Sequence, residues 1–366
     1  MSNPDFEAAR LSVRLGAIAA NYREFARRAG PAAVAGVVKA DAYGLGLAPV
    51  ARALAGQGCD TFFVARLSEG VALRALLPEA RIFVLDGAQP DAIPSLIVHR
   101  LVPVLNSLAE IALWSAAANA RRTILDAAIH IDTGMNRLGL PPSELSTLSA
   151  DAGARLKGIR LALLMSHLAC ADDPASRMNA QQLARFKTAL AMLPPAPASL
   201  ASSGGVMLGK DYFFDMVRPG IGVYGGNPQP GQPNVFAVAP QLTGRILQLR
   251  RVDKGEAVGY GASFRIERPT TLATVALGYA DGLMRAIGNR GTGAIKGVRA
   301  PIAGRVSMDL ITLDVTAIPG LQTGAEVEFL GDTISLDELA ANAGTSSYEI
   351  LTSLGSRMQR HYEDAE

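Results

Sequence analysis

The sequence has little of what secreted, metal-binding or disulfide-stabilised proteins need. Its 366 residues include only two cysteines, Cys59 and Cys170, which lie far apart in the chain. Without a secretion signal, two isolated cysteines are typical of reduced thiols, so we expect a cytoplasmic protein. The four histidines are scattered and show no metal-ligand spacing with the cysteines. We therefore expect no metal site.

Long apolar runs and blocks of like charge are missing as well. No apolar run approaches the roughly 18 residues that a membrane span needs. The start, MSNPDFEAAR, contains two acids and no apolar core, so we expect no signal peptide. The 35 basic residues nearly balance the 33 acidic ones. This balance argues against nucleic acid or an anionic membrane as the main partner.

What the chain does contain is a regular alternation of short apolar runs with helical patterns. Eight strand–helix units within about 200 residues predict a (β/α)8 barrel of the TIM type. A doubly wound sheet is the alternative, but no G-x-G-x-x-G motif opens any of the predicted helices. The eight apolar runs are 34–38, 62–64, 82–85, 101–105, 124–131, 159–165, 198–202 and 216–223.

The composition changes near Asn227, where the turn-rich segment NPQPGQP begins. We place a domain boundary there, with the barrel over residues 1–230. The remainder, residues 231–366, is predicted to be a smaller, mainly β domain, because short apolar runs alternate with glycines and charged pairs. A helix is predicted from Ser335, with Glu338 three residues on as its capping partner. Further predicted elements are a strand at 11–15 and a helix over 348–358.

The stretch VVKADAYGLG delivers one lysine, Lys39, to the end of a predicted buried strand. A lysine that loses hydration there has a lowered pKa, and its amine can become a nucleophile. A Schiff-base lysine needs such an environment. A solvated lysine at a strand end is the alternative, and these residues alone do not decide between the two.

Polar residues collect at the predicted carboxyl ends of the barrel strands, where such barrels place their active sites. Glycine turns and serine hydroxyls can together cradle a phosphate group. Any one of these residues could be a structural turn residue, but their convergence predicts a site for an anionic cofactor. In chain order they are Lys39, the segment 132–137, Ser166, His167, the segment 202–205, Arg218 and the segment 220–222.

Six segments, in order and across both predicted domains, resemble motifs of the alanine racemases, which bind pyridoxal phosphate (PLP). Each match alone is moderately specific, but six in series are very specific. The sequence is accordingly identified as similar to that family. The segments are VVKADAYGLG at 37–46, DTGMNRLG at 132–139, VRPGI at 217–221, GYGASF at 259–264, LGYADG at 277–282 and GRVSMD at 304–309.

The resemblance implies that Lys39 holds PLP as an aldimine and that L-alanine and D-alanine are interconverted. It implies that Lys39 and Tyr260 are the two catalytic acid–base groups, and that Tyr260 reaches the site from the partner subunit of a homodimer. Supply of D-alanine as a peptidoglycan precursor and its degradation both stay open. The other implied residues are Tyr43, His167, Ser203, Arg218, Gly220 and Ile221 for the cofactor, and Arg137, Tyr279, Met308 and Asp309 for the substrate.

Three positions depart from the family's pattern. Where many relatives have a carbamylated lysine, this sequence has His130, which could support Arg137 but supplies no fixed negative charge. The common Asn-Ser of the phosphate loop is Ser202-Ser203 here. Near the C-terminus, an alignment on Tyr348 places Ser356 where many relatives have a phosphate-binding tyrosine.

Three other functions fit parts of this pattern. A racemase of broader substrate range is the nearest, because His130 and Ser356 would alter the edge of the site. A PLP-binding regulatory protein would lack a second domain, so the segments that contain Tyr260 and Met308 argue against it. A PLP decarboxylase of the same superfamily typically has a reactive cysteine in its second domain, whereas both cysteines here fall in the first.

Overall fold

The structure is a computed structural model that describes residues 8–363. Most of the segment on which the signal-peptide expectation depends, residues 1–7, lies outside the described residues, as do residues 364–366. Within the described range, none of the helices combines the length and the apolar character that crossing a membrane requires.

The first part of the chain alternates strands with helices. In chain order its elements are β1 (Ala9–Arg14), α1 (Leu15–Ala29), β2 (Ala33–Val34), β3 (Gly36–Val37), α2 (Lys39–Tyr43), α3 (Leu47–Ala55), β4 (Thr61–Val64), α4 (Leu67–Leu76), β5 (Arg81–Val84), α5 (Ile93–Val98), β6 (Val102–Leu105), α6 (Leu108–Ala120), β7 (Leu125–His130), α7 (Pro142–Ala150), α8 (Ala152–Arg155), β8 (Ile159–Met165), α9 (Arg177–Met192), β9 (Ala198–Ser199), α10 (Ser203–Leu208) and β10 (Met216–Val217).

Strands β3 to β9 form one parallel sheet in chain order, and further contacts close it into a barrel. β2, which leads into β3 across Ala35, pairs in parallel with β10. β10 is joined to β9 because the Asp215 amide donates to the Ala198 carbonyl at 2.9 Å and a bridge links Ser202 to Arg218. With β2 and β3 as one strand, eight strands form the wall, and the predicted (β/α)8 barrel is confirmed.

The barrel strands are predominantly apolar because both of their faces are covered. Phe62, Phe63 and Phe83 of neighbouring strands are all fully or almost fully buried. The rings of Phe63 and Phe83 stack with their centroids 4.7 Å apart. Outside the barrel, helix α1 contributes the buried side chains of Ile18 and Phe25. This two-sided burial explains why the sequence shows short apolar runs rather than alternation.

The second part of the chain is mainly β, as predicted. Its long strand β11 pairs with β1, β14 and β18. The helix predicted from Ser335 is present as α11 (Leu336–Ala343), and its predicted cap forms, since Ser335 Oγ accepts the Glu338 amide at 3.1 Å. The elements are β11 (Pro240–Val252), β12 (Ala257–Val258), β13 (Phe264–Arg265), β14 (Thr270–Val275), β15 (Thr292–Ile295), β16 (Val298–Pro301), β17 (Ile311–Asp314), β18 (Glu326–Leu330), α11 (Leu336–Ala343), α12 (Ser347–Ser353) and β19 (Arg360–Glu363).

Two predicted elements are too long, and one has an unexpected partner. The run 216–223 is a strand only over β10, because Pro219 and Gly220 interrupt it and Ile221–Tyr224 is a 3-10 turn. The helix predicted over 348–358 ends at Ser353. The chain then extends into β19, which pairs with β1, so tertiary pairing overrides the local helical pattern. β1 therefore lies in the β sheet and not in the barrel wall.

The chain leaves β3 through α2 (Lys39–Tyr43), whose backbone forms a left-handed turn and not a regular α-helix. Residues 40–43 all have φ between 53° and 57°. This backbone costs about 1–2 kcal/mol for each residue that is not glycine, so the surroundings must hold the turn. Gly44 closes it with φ of 82°, and a side-chain carbon there would lie 2.6 Å from the Leu351 carbonyl oxygen. The turn thus packs directly against α12 of the second part of the chain.

The C-terminal segment supports this turn from outside the barrel. Arg360 Nε donates to the Gly44 carbonyl at 2.8 Å. The same guanidinium donates to the carbonyls of Leu354 and Gly355 at 3.1 and 3.4 Å. One arginine thus ties the end of the chain to the segment that contains Lys39.

We expect Arg360→Ala to lower the free energy of unfolding by about 1–3 kcal/mol, because it leaves up to three half-buried carbonyls without a donor. Urea unfolding curves measure the change. Arg52→Ala, at an exposed position of α3, is the matched control and should stay within about 0.5 kcal/mol of the unmodified protein. Equal stabilities of both variants would contradict a supporting role for Arg360.

Candidate active site

A cavity of about 360 Å³ lies at the carboxyl ends of the barrel strands. Its polar lining includes Lys39, Arg137, Arg218 and two histidines, and no aspartate or glutamate of the described part of the chain lines it. Cations that converge without a counter-charge suit an anionic ligand. The other lining residues are Val37, Tyr43, Phe63, Leu85, Leu138, Met165, Ser202, Ser203, Gly220, Ile221 and Tyr348.

Most of the site residues predicted from the sequence meet in this one cavity. They come from separate strand ends and turns, and only closure of the barrel brings them together. Those that line the cavity are Lys39, Tyr43, Arg137, His167, Ser203, Arg218, Gly220 and Ile221.

The four predicted residues of the second part of the chain do not line the cavity. Tyr260, Tyr279 and Met308 are 69%, 41% and 53% exposed. Asp309 is exposed too, and it pairs with Arg357 at 2.6 Å. A single chain therefore does not assemble the complete predicted site.

Lys39 begins α2 at the mouth of the cavity. Burial lowers the pKa of its amine, and the nearby charge of Arg137 lowers this pKa further. The Glu69 carboxylate accepts the amide of Ala40 at 2.7 Å and the amides of residues 65–66, which fixes the backbone beside the lysine. A positioned amine with a lowered pKa fits the nucleophile that the sequence predicted.

Arg218 is a buried cation whose pKa is shifted by burial alone, with no carboxylate contribution from the described residues. Its guanidinium donates to the Ser199 hydroxyl and, at 2.7 Å, to the Ser166 carbonyl. The guanidinium carbon lies 5.8 Å from the centroid of the Phe63 ring. Burial lowers its pKa to about 10, so it remains charged at neutral pH. A charge buried in this way favours an acceptor or anion from a ligand.

Another part of the cavity wall is built from serine and glycine. Ser203 Oγ accepts the amides of Gly220 and Gly222 at 2.8 and 3.3 Å. A hydroxyl has two acceptor positions and one proton, so the Ser203 proton remains free to donate. A side-chain carbon at Gly220 would overlap the Tyr43 hydroxyl, so only glycine fits there. This wall can donate to phosphate oxygens at close range.

The two histidines of the cavity are uncharged at neutral pH. Burial lowers the pKa of His167 to about 3, and the charge of Arg218 contributes to this shift. Burial and the same arginine lower the pKa of His130 to about 4. Both rings therefore act as neutral hydrogen-bonding groups, and the positive charge of the site comes from Lys39, Arg137 and Arg218.

Gln182 was not predicted from the sequence, although it connects two parts of the site. Its Nε2 donates to Thr133 Oγ1 at 3.1 Å and to the His167 carbonyl at 2.9 Å, and its Oε1 accepts the Ala169 amide at 2.8 Å. Thr133 Oγ1 also contacts Ser166 Oγ at 2.8 Å. A glutamine on a helix gives no sequence signal for this role, because its partners are distant in the chain.

Tyr348 was not predicted as a site residue either. It lines the cavity, whereas Ser356, which stands where many relatives have a phosphate-binding tyrosine, does not. Its ring centroid lies 6.0 Å from that of Tyr43. One sequence signal points to it, the Tyr-Glu pair at the start of α12. Phe63 and Leu85 could have been found as residues at the ends of β4 and β5.

The fold and the site together define a barrel enzyme that takes an anionic ligand beside a reactive lysine. More specifically, the chain belongs to the alanine racemase family. The family model of the alanine racemase N-terminal domain matches residues 13–228. The model of the alanine racemase C-terminal domain matches residues 239–362.

Relatives match over almost the whole chain. A catabolic alanine racemase of Agrobacterium fabrum is 49% identical over 355 residues, which are 96% of this chain and 91% of the relative. An alanine racemase of Methylobacterium nodulans is 47% identical over 364 residues, 99% of this chain and 98% of the relative. The crystal structure of alanine racemase from Bartonella henselae with covalently bound PLP is 39% identical, with a TM-score of 0.94, and covers 98% of this chain and 100% of that chain.

We expect Gly220→Ala to weaken binding of PLP, used as an anionic probe of the cavity, by roughly tenfold or more. The added methyl group overlaps the Tyr43 hydroxyl, and overpacking of this kind costs about 1–3 kcal/mol. Equilibrium dialysis with PLP measures the affinity. Gly153→Ala is the control, because nothing lies within 4 Å of its added carbon. Unchanged affinity in Gly220→Ala would show that this wall does not hold the ligand.

Proposed function

We propose that this protein is an alanine racemase that interconverts L-alanine and D-alanine with PLP bound at Lys39. The observation that carries the proposal is a half-buried lysine of lowered pKa in a basic cavity that no carboxylate of residues 8–363 lines. Membership of the alanine racemase family supports it. The direct test is conversion of each pure alanine enantiomer into the other by the PLP-loaded protein.

The residues of the cavity fit PLP. Ser203 has a hydroxyl proton free for the phosphate, and Gly220 leaves the space that a side chain would fill. Tyr43 and Ile221 would complete the phosphate end of the site. Arg218, a buried cation with no carboxylate partner within residues 8–363, would donate to the ring nitrogen, and His167 would contact the cofactor.

PLP, when bound, draws electrons away from Cα of an attached amino acid and so makes the Cα proton acidic. The protein must then hold the amino acid and supply an acid–base group at each face of Cα. Arg137 would bind the substrate carboxylate through its guanidinium. Lys39 would take or return the proton on one face, and its lowered pKa leaves more of the amine unprotonated near neutral pH.

Arg218 would also limit side reactions. A guanidinium with a pKa of about 10 remains a donor at neutral pH, so a ring nitrogen that accepts from it stays unprotonated. By keeping the ring nitrogen of PLP unprotonated, Arg218 would reduce the amount of charge that is drawn away from Cα. Return of the proton to Cα is then favoured over transamination.

The second acid–base group would be Tyr260 from the partner subunit of a homodimer. Tyr260, Tyr279 and Met308 are exposed in the single chain and do not line its cavity. In this proposal the domain over residues 231–366 places them, together with Asp309, at the partner's barrel, which spans residues 1–230.

A racemase of broader substrate range is the second candidate, because His130 lines the cavity where many relatives have a charged group. Racemisation of serine or larger amino acids at rates comparable to alanine would favour it. We place the enzyme in the cytoplasm. Supply of D-alanine for peptidoglycan and its catabolism are both compatible with the proposed reaction.

We expect Tyr260→Phe to lose racemisation by at least the roughly 10²–10⁴-fold typical of a missing acid–base group. The variant keeps Lys39, so it should still bind PLP. Exchange of the Cα proton with solvent should survive better for the enantiomer that Lys39 serves, which the family resemblance gives as D-alanine. Deuterium incorporation from each pure enantiomer measures this. Equal losses for both enantiomers would make Tyr260 a structural residue.

Mixing two inactive variants tests whether the active site is shared. Lys39→Ala and Tyr260→Phe chains that exchange subunits at random should recover about a quarter of the active sites, because half of the dimers are mixed and each has one intact site. Activity after mixing measures the recovery. Unmixed Tyr260→Phe protein treated identically is the control. No recovery, with subunit exchange demonstrated by differently tagged chains, would contradict the shared site.

A further inference from the structure

Tyr260 lies on a short loop that has little regular structure of its own. Its side chain is 69% exposed, so packing within one chain does little to fix the ring. Tyr260–Ala262 is a single 3-10 turn in which Gly261 and Ala262 have φ of 69° and 46°. This backbone is unfavourable for Ala262, which is not a glycine. The position of Tyr260 therefore depends on what holds the loop from outside.

The segment 304–309 lies directly against this loop. A side-chain carbon at Gly304 would lie 3.0 Å from the Val258 carbonyl oxygen, just before the loop begins. A side-chain carbon at Gly261 would lie 3.1 Å from a nitrogen of the Arg305 guanidinium. Contacts this close leave room only for glycine and bring the two backbones together.

The same segment is bonded to the turn of Tyr279. The Ser307 carbonyl accepts the Tyr279 amide at 3.0 Å, and the Met308 carbonyl accepts the Ala280 amide at 2.9 Å. A loop that is fixed to the segment 304–309 is therefore also fixed relative to Met308 and Tyr279, the other exposed residues predicted for the shared site.

Asn289 joins the Tyr260 loop to this segment through its side-chain amide. Oδ1 accepts the Gly304 amide at 2.7 Å, and Nδ2 donates to the Ser263 carbonyl at 3.4 Å. A backbone amide can only donate, so the contact with Gly304 fixes the oxygen there and turns the nitrogen toward Ser263. Gly304 is buried, so its amide depends on this acceptor.

The backbone around Asn289 suits this bridging position. Its φ is 59°, a left-handed conformation that asparagine adopts more readily than most residues. A side-chain carbon at Gly288 would lie 3.0 Å from the Arg305 Cα and 3.0 Å from the Gly304 carbonyl oxygen. The turn thus packs directly on the segment to which its side chain is bonded.

We propose that Asn289 is a positioning residue for Tyr260, because its amide ties the Tyr260 loop to the segment 304–309. The inference rests on the proposed function, in which Tyr260 is the second acid–base group. Proton transfer requires the hydroxyl to be within hydrogen-bond reach of Cα, so a loop that moves lowers the fraction of productive encounters. Transfer by Lys39, which comes from the barrel, does not depend on this tie.

Asn289→Gly removes both hydrogen bonds and suits the left-handed backbone. We expect Cα proton exchange to fall about three- to tenfold for the enantiomer that Tyr260 serves, and to change less for the one that Lys39 serves. Deuterium incorporation from each pure enantiomer measures this. Lys296→Gly is the matched control, because Lys296 is exposed, has φ of 50° and lies in the same part of the chain. No loss, or equal losses for both enantiomers, would overturn the proposal.

Asn289→Asp separates the two ends of the amide. It keeps the acceptor for the buried Gly304 amide, but it turns an oxygen instead of a donor toward the Ser263 carbonyl. We expect the same unequal loss of exchange as in Asn289→Gly, so the test holds even if the glycine variant does not fold. Wild-type exchange of both enantiomers in Asn289→Asp would overturn the proposal.

Mixed dimers show in which subunit Asn289 acts. With Lys39→Ala chains in excess, almost every Asn289→Gly chain has a partner that supplies an unaltered Asn289 and Tyr260 to its Lys39. We expect the rate per Asn289→Gly chain to return to that of the wild type. A rate that stays at the level of unmixed Asn289→Gly, with subunit exchange shown by differently tagged chains, would count against the proposal.

Amide hydrogen exchange of the PLP-loaded protein observes the loop without any activity. Peptides that cover residues 259–263 should exchange faster in Asn289→Gly than in the wild type or in Lys296→Gly. Peptides that cover residues 37–46 should be unchanged. Equal exchange of residues 259–263 in all three proteins would mean that Asn289 does not hold the loop.

The outcomes also separate this inference from the proposed function. Equal losses for both enantiomers in Tyr260→Phe would contradict the proposed second acid–base group, whatever Asn289 does. Unequal losses in Tyr260→Phe together with equal or no losses in Asn289→Gly would contradict the inference alone.

Discussion

The site depends on positive charge that gathers in one cavity whose lining, among the described residues, includes no carboxylate. Lys39, Arg137 and Arg218 converge there, and Arg218 is fully enclosed by the protein. Serine hydroxyls and backbone carbonyls hold Arg218 instead, which satisfies hydrogen bonds without cancelling charge. Burial, and after it the charges of the arginines, lowers the pKa values of Lys39, His130 and His167. A reactive amine, two neutral rings and an affinity for an anion therefore follow from one enclosed, positively charged cavity.

The fold must supply the free energy that this arrangement costs. The barrel brings the strand ends together, but the left-handed turn after Lys39 is held by residues from the other end of the chain, through Gly44 and Arg360. Tyr348 contributes a wall of the cavity from the same region. The second part of the chain therefore shapes the site of its own barrel, besides offering Tyr260 and Met308 at an exposed surface.

The barrel and the position of its site could be predicted because each rests on local patterns. Strands buried on both faces give short apolar runs, and barrel chemistry gathers at their carboxyl ends. Gln182 could not be predicted as a site residue, because its role depends on partners that are distant in the sequence. The membership of β1 in the β sheet was missed for the same reason, since alternation identifies a strand but not its neighbour.

The central claim is that Lys39 is the lysine to which PLP binds. Borohydride reduction of the PLP-loaded protein, followed by peptide mapping, tests it most directly, because reduction makes the lysine–PLP bond permanent. The account predicts that the label lies on Lys39 alone, in the peptide that contains the VVKADAYGLG segment. Label on any other lysine, or no label on a protein shown to contain PLP, would contradict it.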